Sequence, residues 1–268
     1  MADKPNRTPP PGVKAQKTAL AIARWLALAV IIIAIIIAVT SCSSGAGEAP
    51  ASDPPGGSSS APASVSAPSG PAADAVAAGI ERAASYNFTL TAVATAADLK
   101  ALRAAPQDTL EGATVAPQSC RTAVRELNWS PASLGEDSAR TDFAADGVDA
   151  TGSVEVARVT DGTALKAHYA TVKQMLGDCS DVTLSISGTE VPLRSTAPPA
   201  EVTSTATSAL LWSRAGKGSY LRQQALVLIG ERDGYVAMVS FIGTSGLENA
   251  KFSSMAGGIL DATLDELA

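Results

Sequence analysis

The sequence predicts an α+β domain, one mostly antiparallel sheet flanked by helices, carried behind an export leader and a low-complexity stalk. Three observations predict it. From about Arg140 onward, apolar residues recur with a period near two in several adjacent runs, as half-buried strands require. Helical patterns stand before, between and after those runs, which argues for an antiparallel sheet covered by helices. Asp233-Gly234 lies between ALVLIGER and YVAMVSFIG, and an Asp-Gly pair there fits a type I′ hairpin turn.

The leader comes first. Residues 1–24 carry Lys4, Arg7, Lys14, Lys17 and Arg24 against one acid, Asp3. Cationic flanks stay cytoplasmic, so the following segment points outward. Trp25 to Val39 is wholly apolar; its 15 residues would rise about 22 Å as a helix, short of the roughly 30 Å hydrocarbon core. That length suits a cleaved signal h-region. Val39-Thr40-Ser41-Cys42 then has the form of a lipobox: a branched apolar residue, two small residues and a cysteine. Residues 1–42 resemble a bacterial lipoprotein signal peptide, which implies acylation of Cys42 by palmitate-type chains and anchoring at the outer face of the cell membrane. The rival readings are an uncleaved anchor from Ala19 to Val39, with Arg24 snorkelling to the interface, and free secretion. The small residues straight after the apolar run favour the lipoprotein.

Residues 43–71 are almost wholly Ser, Gly, Ala and Pro, broken only by Glu48, Asp53 and Val65. Such a stretch buries too little apolar area to offset its ordering entropy, so a disordered stalk with a reach of roughly 30 Å is expected. The remaining 72–268 is long enough for one domain with a real core.

Within it, Ala72 to Ala84 reads as an Ala-rich helix. Thr95 with Asp98 three residues later has the form of a capping box before AADLKALRAA, a helix ended by Pro106. Pro117 opens a helix through Cys120, Val124 and Leu127, ended by Asn128-Trp129-Ser130-Pro131. Arg140–Ala144 and Gly152–Thr160 alternate as strands. Leu165 to Leu176 is helical, with Leu165, Tyr169, Val172 and Leu176 on one stripe and Gly177 as its stop. Val182–Ser187 and Val191–Arg194 surround a turn at Gly188-Thr189; Val202–Arg214 and Tyr220–Arg232 are long strands. A helix near Leu247 to Leu267 closes the chain, with Phe252, Met255, Ile259 and Leu267 able to face the core.

Charge and cysteines narrow the function. Residues 43–268 hold 15 Lys/Arg and 25 Asp/Glu, a net charge of −10. With its basic residues scattered, this domain is not expected to bind nucleic acid or anionic lipid. Cys120 and Cys179 are the two cysteines behind the stalk, and in an exported protein an even pair is most simply one disulfide. Buried free thiols or a redox pair are the alternatives, and neither cysteine sits in a Cys-x-x-Cys motif.

No catalytic residues, metal site or cofactor are expected. A triad or zinc site would have to be built on the one histidine, His168, and a lone helical histidine is more often a surface or cap residue. Asp142, Asp146 and Asp149 lie close together, but their spacing is not that of an EF-hand loop, so they read as solvated turn acids. Gly216-Lys217-Gly218-Ser219 lacks the leading Gly and the Ser/Thr of a phosphate loop. Asn87-Phe88-Thr89 is formally a glycosylation sequon. Trp212 and Tyr220 flank one strand connection and Tyr235 opens the next strand, an aromatic gathering at one sheet end that reads as core packing or as a ligand cleft.

The order of features resembles actinobacterial, mycobacterial-type envelope lipoproteins whose domain is similar to the extracellular sensor domain of serine/threonine protein kinase H. The residues that carry this are a Pro-x-x-Cys helix (Pro117 to Cys120), a second helix ending at Gly177-Asp178-Cys179, the long strand pair within Gln223–Ile242, and a C-terminal helix. The likeness covers about Thr91 to Ala268 and implies a sensor-like sheet–helix cleft for an unidentified small ligand. This chain departs from it in having no kinase domain and two domain cysteines where the kinase sensor has two disulfides. No binding residues carry over. The expected function is therefore a non-enzymatic, lipid-anchored envelope protein that binds a small or lipidic ligand, or alternatively contacts another envelope protein without a small-molecule pocket.

Overall fold

The computed structural model describes residues 69–103, 110, 112–135, 137–199, 205–217 and 222–268. The leader with Cys42, the expected stalk through residue 68, Pro106, the start of the strand expected from Val202, Gly218-Ser219 and Tyr220 lie outside the described residues.

Helix α1 (Pro71–Ser85) opens on a proline at its first turn, where the φ is preset and no N–H goes unpaired. After β1 (Leu90–Val93) comes α2 (Ala96–Arg103), started by the expected capping box. The Thr95 N–H donates to Asp98 Oδ2 at 2.8 Å, and the Asp98 N–H donates to Thr95 Oγ1 at 3.3 Å. The Thr95 hydroxyl, donating to Asp98 Oδ2 at 2.7 Å, and the Thr95 N–H hold the Asp98 carboxyl below its usual range.

Beyond β2 (Ala113–Ala116), the segment expected as one helix from Pro117 divides. A 3₁₀ turn at Gln118–Cys120 precedes the short α3 (Arg121–Arg125), and Pro117 stands outside as the extended cap residue after a cis peptide bond. A second 3₁₀ turn (Pro131–Leu134) leads to β3 (Ser138–Ala144) and β4 (Ala150–Arg158). Asp161 accepts from the Thr163 and Ala164 N–H groups at 3.0 and 3.1 Å and caps α4 (Gly162–Leu176).

The hairpin of β5 (Asp181–Ile186) and β6 (Thr189–Thr196) turns at Ser187-Gly188, one residue earlier than expected, with both φ angles positive. Strands β7 (Ser208–Ala215), β8 (Arg222–Arg232) and β9 (Tyr235–Gly243) follow, and α5 (Ala250–Asp265) ends the fold. Asp233 and Gly234, at φ +50° and +82°, form the expected turn between β8 and β9.

Among the described residues the nine strands form one sheet in the order β1-β3-β4-β9-β8-β7-β6-β5-β2, with every neighbouring pair antiparallel. The α+β class is as expected. Helices α1 and α5 pack on one face, over Val154, Val156, Leu226, Leu228, Ala237, Val239 and three phenylalanines. Phe88, Phe143 and Phe241 meet edge to face, each centroid pair 5.4 Å apart.

The other face is covered by α4, α3 and the Pro131–Leu134 turn, over Ile229, Val236 and Met238 centrally and Val182, Leu184, Val191, Leu193 and Leu210 towards the β2 edge. Cys120 and Cys179 form a disulfide there, with an S–S distance of 2.01 Å, and both are 1% exposed. It joins the start of α3 to the loop after α4. Closing a loop of this size is worth about 4 kcal/mol in the chain-entropy account.

Gly152 lies directly opposite Phe143 in the β3–β4 pairing, and a Cβ there would stand 2.2 Å from the Phe143 ring. The ring is locked between Phe88 and Phe241 and has nowhere to go. Gly152→Ala is expected to destabilise the chain by about 1–3 kcal/mol through overpacking, read as a lower urea midpoint at unchanged m-value.

Candidate functional site

The face under α4 holds the polar groups with the least ordinary surroundings. His168 is 8% exposed, not the surface or cap residue expected, and its ring stacks on Trp129 at 4.2 Å and 13°. The reason is the rotation of α4. Its buried set is Leu165, His168, Thr171, Val172 and Met175: of the expected stripe Leu165 and Val172 are buried as expected, whereas Tyr169 and Leu176 lie half-buried at the flank. Tyr169 is drawn aside by the 2.8 Å hydrogen bond its hydroxyl donates to Glu231 on β8. Burial, followed by that bond and the Glu231 charge, pushes the Tyr169 hydroxyl well above its ordinary pKa.

Burial also presses the His168 pKa down to about 4, so the ring is neutral at pH 7. Its Nδ1 has no hydrogen-bond partner among the described residues. His168 also lines a cavity of about 20 Å³, with Leu127, Val172, Ser208, Leu210, Trp212, Val227 and Ile229. That is room for about one water molecule. A larger feature, an open groove of about 460 Å³, runs between α4 and the start of β7. Tyr169, Ala170, Val172, Lys173 and Leu176 form one wall, and Thr207, Ser208 and Ala209 the other. It lies beside the start of β7 because β6 pairs with β7 only from Leu211 to Arg214. Groove and cavity share Val172 and Ser208.

A second polar cluster lies farther along the same face. Glu155 on β4 is fully buried and accepts from Ser130 Oγ and, at 2.7 Å, from the Ala132 N–H. Arg140 reaches Glu155 at 3.4 Å and Asp142 at 2.9 Å. Burial raises the Glu155 pKa against the pull of Arg140. With its oxygens engaged by the 3₁₀ turn and by Arg140, the carboxylate is a tie between that turn and the sheet. The sequence hid it: Glu155 alternates with Val154 and Val156 as a solvent-facing strand residue would.

Other expected candidates disperse. Trp212 pairs with Ala225 near the start of β8, but Tyr235 pairs with Arg232 at its far end, so Tyr235 does not join Trp212. Seven residues of strand put them about 23 Å apart. Tyr235 instead donates to Asp137 at 2.8 Å. Asp142 is engaged with Arg140, whereas Asp149 accepts from Thr244 Oγ1 and Asp146 is exposed in the turn. Among the described residues no three His, Cys, Asp or Glu side chains form a metal-ligand group, and no helix is long and apolar enough to cross a membrane.

No family model matches the chain, and no curated protein does. Among solved structures it is weakly similar to the extracellular domain of PknH from Mycobacterium tuberculosis, at 13% identity and a TM-score of 0.34, over 56% of this chain and 77% of that one. A likeness of this strength assigns neither ligand nor activity.

The His168 environment gives a pH dependence. The folded-state pKa of about 4 lies below the ordinary 6.5, so the fold favours the neutral ring. That contribution is complete above pH 6.5 and is lost as the pH falls from 6.5 towards 4, by up to about 3 kcal/mol. Urea unfolding of wild type and His168→Phe between pH 7.5 and 4.5 is expected to show a steeper acid loss in the wild type.

Proposed function

We propose that this chain is a lipid-anchored, extracytoplasmic binding protein without enzymatic activity, which holds a small amphiphilic or lipidic ligand in the groove between α4 and β7. The observation that carries the reading is the groove itself. Its volume of about 460 Å³ falls within the roughly 300–1,000 Å³ of small-molecule sites. Its lining combines apolar Val172, Leu176 and Ala209 with the Lys173 ammonium and the Thr207 and Ser208 hydroxyls, the mixture an amphiphile needs.

Anchoring rests on Val39-Thr40-Ser41-Cys42 after the apolar run, and an outer-face location rests on the basic flank before it. A non-enzymatic role is supported by the engagement of Glu155, which two donors and Arg140 hold in a structural tie. A second reading, contact with another envelope protein, is favoured by one observation. The cavity lined by Leu127, His168 and Trp212 takes only about one water, too little for a small-molecule ligand.

Two experiments test this. Native mass spectrometry of the full chain, released from membranes of its own host, is expected to find a co-purifying amphiphile that Ala170→Trp displaces. Ala170 is exposed on the groove wall, so the fold should tolerate the indole. Protein that is consistently empty, or ligand indifferent to Ala170→Trp, would count against the groove. Radiolabelled palmitate is expected to enter the wild type and not Cys42→Ala; label surviving that substitution would sink the anchor.

A further inference from the structure

We infer that the ligand of the groove is an N-acyl amino acid, an acyl chain joined through a secondary amide to a residue that ends in a carboxylate. The inference rests on the groove reading above and names the class of molecule the groove selects.

An open stretch of sheet edge carries it. The Ser195 N–H of β6 donates to the Ser180 carbonyl, on the β5 side, at 2.8 Å. Backbone groups alternate sides along a strand, so those of Arg194 and Thr196 point to β7, opposite Ser213 and Leu211. Continued by two residues each way, this register sets Pro192 opposite Ala215 and Pro198 opposite Ala209. Both positions require an N–H directed at β7, which proline lacks, so β6 pairs with β7 only between its two prolines, from Leu193 to Thr196. The Ala209 N–H and C=O point to the side that β6 leaves empty, and they have no hydrogen-bond partner among the described residues. The Ala209 side chain packs on the α1–α5 face, so what this residue gives the groove is its backbone.

The open edge is one residue long. Leu211 is taken by Thr196, and the Thr207 N–H turns back to the Ile229 carbonyl at 2.8 Å. A single amino-acid residue therefore fits where a strand does not. In an antiparallel pair the two residues exchange both hydrogen bonds. The ligand's amide N–H donates to the Ala209 carbonyl, and its carboxylate accepts from the Ala209 N–H. The antiparallel direction lays that carboxylate towards Ser208 and Thr207, which line the same wall. Lys173 on the facing wall is exposed, forms no ion pair among the described residues, and supplies the complementary charge. Val172 and Leu176 on that wall meet the acyl chain.

The test is calorimetric titration of the full chain in phospholipid nanodiscs, with empty nanodiscs as the blank. The probes are N-octanoylglycine, its ester analogue octanoyloxyacetate, which lacks the N–H, and N-octanoylglycinamide, which lacks the charge. N-Octanoylglycine is expected to bind about tenfold more tightly than the ester, which leaves the Ala209 carbonyl unpaired. It is expected to bind about threefold more tightly than the glycinamide, a difference that Lys173→Met removes. Ala209→Pro deletes an N–H that points away from β8 and is expected to weaken N-octanoylglycine about tenfold. Should that variant not fold, the comparison of amide with ester on the wild type decides. Equal binding of N-octanoylglycine and its ester would overturn the inference while leaving the groove reading intact. Glycinamide bound as tightly as N-octanoylglycine would overturn the carboxylate, and with it the ligand class. Failure of all three probes to bind the wild type, or binding that Ala170→Trp leaves unchanged, would overturn groove and inference together.

Discussion

Everything in this fold is referred to the hairpin of β8 and β9 at the middle of the sheet. Its turn, Asp233-Gly234 at φ +50° and +82°, sets a register in which Leu226 and Leu228 face one helical layer and Val227 and Ile229 the other. A slip of one residue would exchange those two sets, so the turn chemistry decides which side chains each layer receives. Strand β9 is buried on both faces from Tyr235 to Phe241, and its outer neighbours β4 and β7 take their registers from the pair. The helices can be placed only once this is done.

The two layers that result are unlike. Under α1 and α5 the filling is apolar, with the three phenylalanines meeting around Phe143. Under α4 and the Pro131–Leu134 turn, polar groups are enclosed: Glu155, His168, and the Ser153 and Ser240 hydroxyls bonded to each other at 2.7 Å. Enclosed polar groups demand partners, and the loop before β3 supplies those of Glu155 through Ser130 and Ala132, with Arg140 beside them. His168 Nδ1 is left over. The groove between α4 and the start of β7 lies on this face, beside the stretch of β7 that β6 does not pair.

Much of the fold was legible because it is decided within a few residues. The Thr95–Asp98 box, the Asp-Gly turn and the stop at Gly177 are local hydrogen-bonding and φ requirements, and they stand where the sequence has them. Errors came where a distant partner decides. Pro117 and Cys120 look like one helix, but the disulfide partner Cys179 and the pairing of Ala113–Ala116 with β5 leave room only for a 3₁₀ turn and a short helix. Tyr169 belongs to the apolar stripe of α4 by spacing, yet Glu231 draws it to the flank and His168 takes the inner position.

The candidate site was hardly legible at all. In the sequence His168 is a lone ring on a helix and Trp129 part of a helix stop; they are 39 residues apart, and no local rule joins them. By itself the sequence determined the antiparallel α+β class, the turns and the caps, since those depend on composition and on neighbours along the chain. Only the tertiary structure decided the strand order, the rotation of α4, the burial of Glu155 and His168, and the groove beside β7. Each of these depends on which distant surfaces are free to be covered, and that is known only when the whole sheet is assembled.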